Sequence, residues 1–201
     1  MSRAGFLRRG AVGGSALLVS ASGLSTLGLA DVADASAVTP PAGDLAYLRV
    51  LIAAELLAVD FHAKALRGRR LRHAAHSLLA RIRSDETKHY AQLAALLTGA
   101  GQTPATAGDI DFSYPQGTFR SQGSITRLAG RLEHLMVGAY LGAVENVETP
   151  ELRLTIGQIA ANEAQHQGAL AALHGRSVVG KPFAPALQIG AVSDALDEFE
   201  S

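Results

Sequence analysis

The sequence predicts an all-α protein, a bundle of four long helices built as two antiparallel hairpins joined by one long crossover, with a short C-terminal helix. Three observations carry this. Of the 201 residues 48% are hydrophobic but only 5% aromatic, and the apolar share is dominated by Ala and Leu, which favour helix over strand. Apolar positions recur at alternating spacings of three and four, the seam of packed helices. The Gly- and Pro-bearing interruptions are short, long, then short, which sets the hairpins and the crossover.

The first 37 residues are set apart from the bundle. A basic start carrying Arg8 and Arg9 leads into AVGGSALLVSASGLSTLGLA, and small residues Ala35 and Ala37 follow in an A-x-A pattern. This is the form of a twin-arginine export signal cleaved after Ala37, which places the mature chain in the periplasm or outside the cell. The competing reading is a retained membrane anchor; the four Gly and five Ser or Thr in the run dilute its hydropathy, and the A-x-A site directly follows. No stable anchor is therefore expected after cleavage. Residues 38–43 then form a linker, 44–175 the bundle, and 176–201 a C-terminal extension.

Asp44 is placed to N-cap the first helix, DLAYLRVLIAAELLAVDFHAKALRG, which ends near Gly68. The second runs from RRLRHAAH to Gly99, in the role of the C′ glycine. Residues 100–123 carry Gly, Pro and Asp without helical periodicity. A third helix starts near Ser124 and reaches about Glu148, where Thr149 and Pro150 form an N-cap and N1 pair opening the fourth, which ends at Gly175. The tail is expected as a docked loop with a helix from Ser193. The linkers inside each pair are too short for anything but a hairpin, whereas about 24 extended residues at roughly 3.3 Å each can run back along a helix of roughly 38 Å. The second and third helices are thus expected to lie parallel.

The chemistry lies on the seams. Along the first helix Leu48, Ile52, Glu55, Val59, His62 and Leu66 share the packed stripe. Ala75, Leu79, Ile82, Glu86, His89, Leu93 and Leu96 do so on the second, and Leu152, Ile156, Ile159, Glu163, His166, Leu170 and Leu173 on the fourth. Ala129, Glu133, Val137, Tyr140, Val144 and Val147 share a face of the third. Two Glu-x-x-His pairs and two further Glu residues therefore point inward. Axial level agrees: Glu133 lies 16 residues before Thr149 and Glu163 lies 14 after it, a mismatch of roughly 3 Å at 1.5 Å per residue. Glu55 lies 13 before Gly68 and Glu86 lies 18 after it, a looser match of roughly 7.5 Å. Glu145 and Glu148 sit at the turn and read as solvated helix-end charges.

Four inward carboxylates need compensation, and the seams hold no Lys or Arg. Two divalent cations would balance them, and a donor set of carboxylate oxygen and imidazole nitrogen suits two Fe ions, or Mn, bound by Glu55, Glu86, His89, Glu133, Glu163 and His166. The chemistry this allows is oxidation of Fe(II) or reduction of dioxygen or peroxide. The blander reading is a metal-free bundle whose buried acids are protonated or hydrogen-bonded to His. His62 and Tyr140 are expected beside the cluster, as supporting or core groups; His73, His76, His134 and His174 as ordinary residues; and Arg67, Arg69, Arg70 and Arg72 as a solvated patch at one end.

With 18 basic and 18 acidic residues the chain has no field suited to a nucleic acid backbone, and with no Cys it has no disulfide, thiolate site or cysteine nucleophile. The sequence sets no oligomeric state and is compatible with a homo-oligomer.

AAELLAVDFHAKAL, RSDETKHYAQL, RLEHLMVGAYLGA, ANEAQHQGAL and the PFAPAL tail together resemble the ferritin-like domain family of the di-iron carboxylate superfamily, in the branch that includes desiccation-related proteins. The resemblance spans roughly residues 44–199. It implies the bundle and a di-iron centre at the six residues above. It also implies an alternative function, a non-catalytic structural or stress-related protein without bound metal. The paired Glu-x-x-His motifs are similar to those of rubrerythrins and bacterioferritins, but no Cys is present for a rubredoxin-like centre.

Overall fold

The computed structural model describes residues 40–201, so the export-signal reading falls outside the described residues. Five helices follow in order: α1 (Ala42–Arg67), α2 (His73–Gly99), α3 (Gln122–Asn146), α4 (Pro150–Leu173) and α5 (Ile189–Asp197). Among the described residues there is no strand, only an isolated antiparallel bridge between Phe112 and Glu200. No described helix is long and apolar enough to cross a membrane.

α1 packs against α2 and α3 against α4 as hairpins, α1 and α3 join the two halves, and α2 and α4 are the most loosely packed of the neighbouring pairs. α5 closes over α1 and α3. Because α1 is covered by α2, α3 and α5, it is apolar around most of its circumference, with Leu48, Leu51, Ile52, Leu57 and Phe61 almost wholly buried. The start of α2 is tied to that of α3 by the Arg72 N–H donating to Gln122 Oε1 at 2.8 Å, which sets the two helices parallel.

The crossover is ordered by its own contacts. Arg49 donates to Gln102 Oε1 at 2.7 Å, Tyr90 to the Ala105 carbonyl at 3.0 Å, and Tyr114 to Asp60 Oδ2 at 2.7 Å. Tyr114 and Phe119 also stack against Phe61, and aromatic pairs of this kind contribute about 1 kcal/mol each beyond area burial.

Several helix ends differ from the sequence reading. α1 begins three residues early, with Pro41 rather than Asp44 at its N-cap. Asp44 instead reaches across the bundle from the first turn of α1 and accepts the backbone N–H groups of Glu148 and Thr149, both at 2.9 Å. It therefore caps α4, whose own N-cap Thr149 makes no capping bond with its side chain. Burial would raise the Asp44 carboxyl, but the hydrogen bonds from Thr149 and Glu148 and the Arg153 charge outweigh it and hold the group below its ordinary value. Gly99 is the last helical residue of α2, and the left-handed position falls at Gly101, with φ of 73°. α3 starts earlier than Ser124 because Ser121 and Ser124 form a reciprocal capping box, and it ends at Asn146. Gly175, at φ 65°, does end α4. α5 begins at Ile189, four residues before Ser193.

Between α4 and α5 the chain crosses the back of α3. The Leu187 N–H donates to the Gly138 carbonyl at 2.9 Å. A Cβ on Gly142 would lie 1.8 Å from the Leu187 carbonyl oxygen, and one on Gly138 2.7 Å from the Leu187 side chain. Only glycine permits this approach.

Candidate metal centre

The six residues singled out by seam and level meet in one layer at the middle of the bundle. Glu55, Glu86, Glu133 and Glu163 are 0–1% exposed and His166 6%, and the His89 side chain is 12% exposed. Each helix contributes through its buried stripe: α1 and α3 give one Glu apiece, while α2 and α4 each give a Glu and a His one turn apart, on one face.

Both imidazoles turn Nδ1 toward the acids. His89 Nδ1 lies 2.9 Å from Glu163 Oε1, 3.2 Å from Glu86 Oε2 and 3.7 Å from Glu55 Oε1. His166 Nδ1 lies 3.2 Å from Glu86 Oε1, 3.3 Å from Glu163 Oε2 and 3.4 Å from Glu133 Oε2. Two overlapping sets result: Glu55, Glu86, His89 and Glu163, and Glu86, Glu133, Glu163 and His166, each with one donor atom per residue within 4.8 Å of the others. Glu86 and Glu163 belong to both.

The donor set fits a pair of divalent ions. Ligands about 2.1 Å from a shared ion lie at most about 4.2 Å apart, so the widest pair in each set needs to contract by at most about 0.3 Å per ligand. Five buried carboxylate oxygens receive no well-aligned hydrogen bond: Glu86 Oε1, Glu133 Oε2 and Glu163 Oε1, which have only an imidazole Nδ1 nearby, and Glu55 Oε2 and Glu133 Oε1. Two N–H groups cannot serve so many acceptors, and buried oxygens without partners are what a cation would satisfy. Oxygen and imidazole donors without thiolate suit iron or manganese.

With protons alone, five of the groups move far from their ordinary values. Burial opposes a charge on His89, yet Glu163 and Glu86 overcome it and push the imidazole up to about 9. For His166 burial is likewise outweighed, by Glu133, Glu163 and Glu86, and its pKa rises to about 12. Glu55 is driven well above the carboxylate range by burial and by the charges of Glu86 and Glu163, and Glu133 by burial and by those same two neighbours. Glu86 moves the opposite way, because hydrogen bonds from His166 and His89 outweigh its burial.

Tyr140 is fully buried and its hydroxyl donates to Glu55 Oε1; burial keeps the phenol protonated. His62 is also fully buried but belongs to neither set of donors. Burial holds it neutral, and Nδ1 lies 2.8 Å from the Ala58 carbonyl, which fixes the proton on Nδ1 and leaves Nε2 bare. Sequence reasoning missed Asp85. Its Oδ2 stands 3.7 Å from His166 Nε2, while Lys88 and Arg81 hold the carboxylate at 2.8 and 3.3 Å. The residue before Glu86 falls off the α2 seam, and only the approach of α4 reveals its neighbour. His134 is exposed and bonded to Gln167, as an ordinary surface residue.

A four-helix bundle with a buried carboxylate and imidazole cluster defines the class of protein. The chain belongs to the ferritin-like domain family, which matches residues 43–176. It is also similar in fold to a solved structure of a hypothetical protein from Methanococcus jannaschii, at 12% identity and a TM-score of 0.57 over 88% of this chain and 98% of that one. No curated protein matches the chain.

Proposed function

We propose that the protein is an exported di-metal carboxylate protein that holds two iron ions, or manganese, and oxidises Fe(II) or reduces dioxygen or peroxide. The observation that carries this reading is the sharing of Glu86 and Glu163 between two four-residue donor sets. Glu55 with His89 would complete one ion's ligands and Glu133 with His166 the other's. Bound there, two Fe(II) ions would supply the two electrons that, with two protons, convert dioxygen to hydrogen peroxide or hydrogen peroxide to water. The chain's own task is positioning. Tyr140 fixes the Glu55 carboxylate, Asp85 stands behind His166, and the Leu- and Ala-rich seams keep bulk water from the four acids. Elemental analysis of the purified mature protein, with oxygen uptake on Fe(II) addition, tests the reading. About two metal ions per chain and prompt uptake are expected; a metal-free protein inert to Fe(II) at neutral pH would sink it.

Export rests on the Arg8-Arg9 pair and the A-x-A pattern ending at Ala37. A mature N-terminus at Val38, and retention in the cytoplasm when both arginines become Lys, are the expected results. Export of that variant at the normal level would refute it.

One observation favours a second reading, a non-catalytic stress-related protein, of which desiccation-related proteins are the example. Two imidazolium groups and two neutral acids would relieve the charge of the cluster without any ion. On this reading, changing Glu86 and His89 together to Leu preserves or raises stability and leaves function intact. Loss of function in that double variant, with the fold retained, would refute it.

A further inference from the structure

Where α2 and α4 stand apart, a furrow of about 450 Å³ opens beside the cluster, lined by Lys88, His89 and Gln92 of α2 and Thr155, Gln158 and Ile159 of α4. His89 is the only one of the six clustered residues on its wall, and it is the most exposed of them: its side chain is 12% accessible, that of His166 7%, and the carboxylates at most 1%. We propose that this furrow is the port of the centre, admitting small uncharged or anionic molecules to the His89 side and turning away hydrated metal cations.

The lining decides the selectivity. Besides His89 and Ile159 it carries one cation, two primary amides, one hydroxyl and no carboxylate. The nearby acid Asp85 is already engaged by Lys88 at 2.8 Å and by Arg81 at 3.3 Å, so it offers an arriving cation little free charge. A doubly charged ion would have to pass Lys88 and shed its water against neutral groups, whereas peroxide or a small anion finds hydrogen-bond donors along the wall. The volume, far above the roughly 30 Å³ share of one water in the liquid, leaves room for such a molecule with its hydration. Resting on the two-ion reading above, this inference makes the ions a resident centre served by a small oxidant, rather than cargo passing through this opening.

Azide is the probe for the metal-loaded full chain, and its binding is followed by absorbance in stopped flow. Replacing exposed Gln158 with Trp fills the furrow, and azide association is expected to slow at least tenfold with metal content unchanged. The double change Lys88→Glu with Gln92→Glu inverts the mouth. It is expected to slow azide at least tenfold at low ionic strength, with recovery in high salt, and to leave Fe(II) loading unslowed. Azide rates that match the parent in both variants would overturn the port. Should the chain bind no metal, the function proposed above fails and the port remains testable by hydroxyl-radical footprinting of the metal-free protein. His89 should then be oxidised several-fold faster than His166 and be protected by Gln158→Trp; equal oxidation of the two histidines, insensitive to the plug, would overturn it.

Discussion

Loading the centre with divalent metal should expel protons, and the structure sets how many. Four buried carboxylates and two imidazoles cannot hold four negative charges in so dry a layer. Near neutral pH both imidazoles are charged, with pKa values of about 9 for His89 and about 12 for His166, while Glu55 and Glu133 are held protonated. Those four groups then carry one proton each. Two divalent ions replace that arrangement with four carboxylates, two neutral imidazoles and four positive charges, so about four protons leave for every two ions bound. Binding must therefore strengthen with rising pH, the product of the two association constants gaining about four powers of ten per unit near pH 7. Isothermal titration of Mn(II) into chelator-stripped protein, in buffers of different ionisation enthalpy, measures the release directly. One proton or fewer per two ions would refute this account of the electrostatics. The same shifts fix the sign for the metal-free protein. Its histidines bind protons more tightly folded than unfolded, so the stability contributed by His89 is complete below its ordinary value of 6.5 and is lost as pH climbs through about 9. The melting temperature of stripped protein should fall across that interval, whereas that of metal-loaded protein should not.

Three substitutions probe the centre and the bundle that holds it. Tyr140→Phe removes the hydroxyl that donates to Glu55 and strands a buried acceptor, so urea unfolding should show a loss of about 1–3 kcal/mol; an unchanged midpoint would mean the bond contributes nothing. Asp44→Ala deprives the Glu148 and Thr149 N–H groups of their shared acceptor and should cost about 1–2 kcal/mol in the same assay, with Asp44→Asn recovering part of it. Gly142→Ala places a methyl 1.8 Å from the Leu187 carbonyl oxygen and should release the strap. Limited proteolysis would then cut within residues 176–188 while circular dichroism still reports an intact bundle; resistance equal to the parent would refute the contact.

The architecture was legible because seam periodicity and linker lengths are local properties of the chain. The convergence of the six residues followed from the same seams, and the apparent mismatch between Glu55 and Glu86 disappears once the helix starts are known. α2 begins after Arg72, so Glu86 lies 14 residues beyond that cap while Glu55 lies 13 before Gly68, a difference of about 1.5 Å along the axis. What the sequence hid are contacts between distant segments. Asp44 satisfies every local criterion for an N-cap, yet its partners lie more than a hundred residues away. Asp85 reads as a surface charge until α4 brings His166 beside it. Gly101 rather than Gly99 takes the left-handed turn because α2 continues through Gly99 before the chain reverses.

The strap across α3 also fixes what substitution can do to this chain. Gly138 and Gly142 present bare backbone to Leu187, on the helix whose opposite side carries Glu133 and Tyr140. A homologue bearing side chains at those two positions must lead its C-terminal segment by another path, so glycine or its replacement there should sort relatives by how their tails dock, even where the helices superimpose.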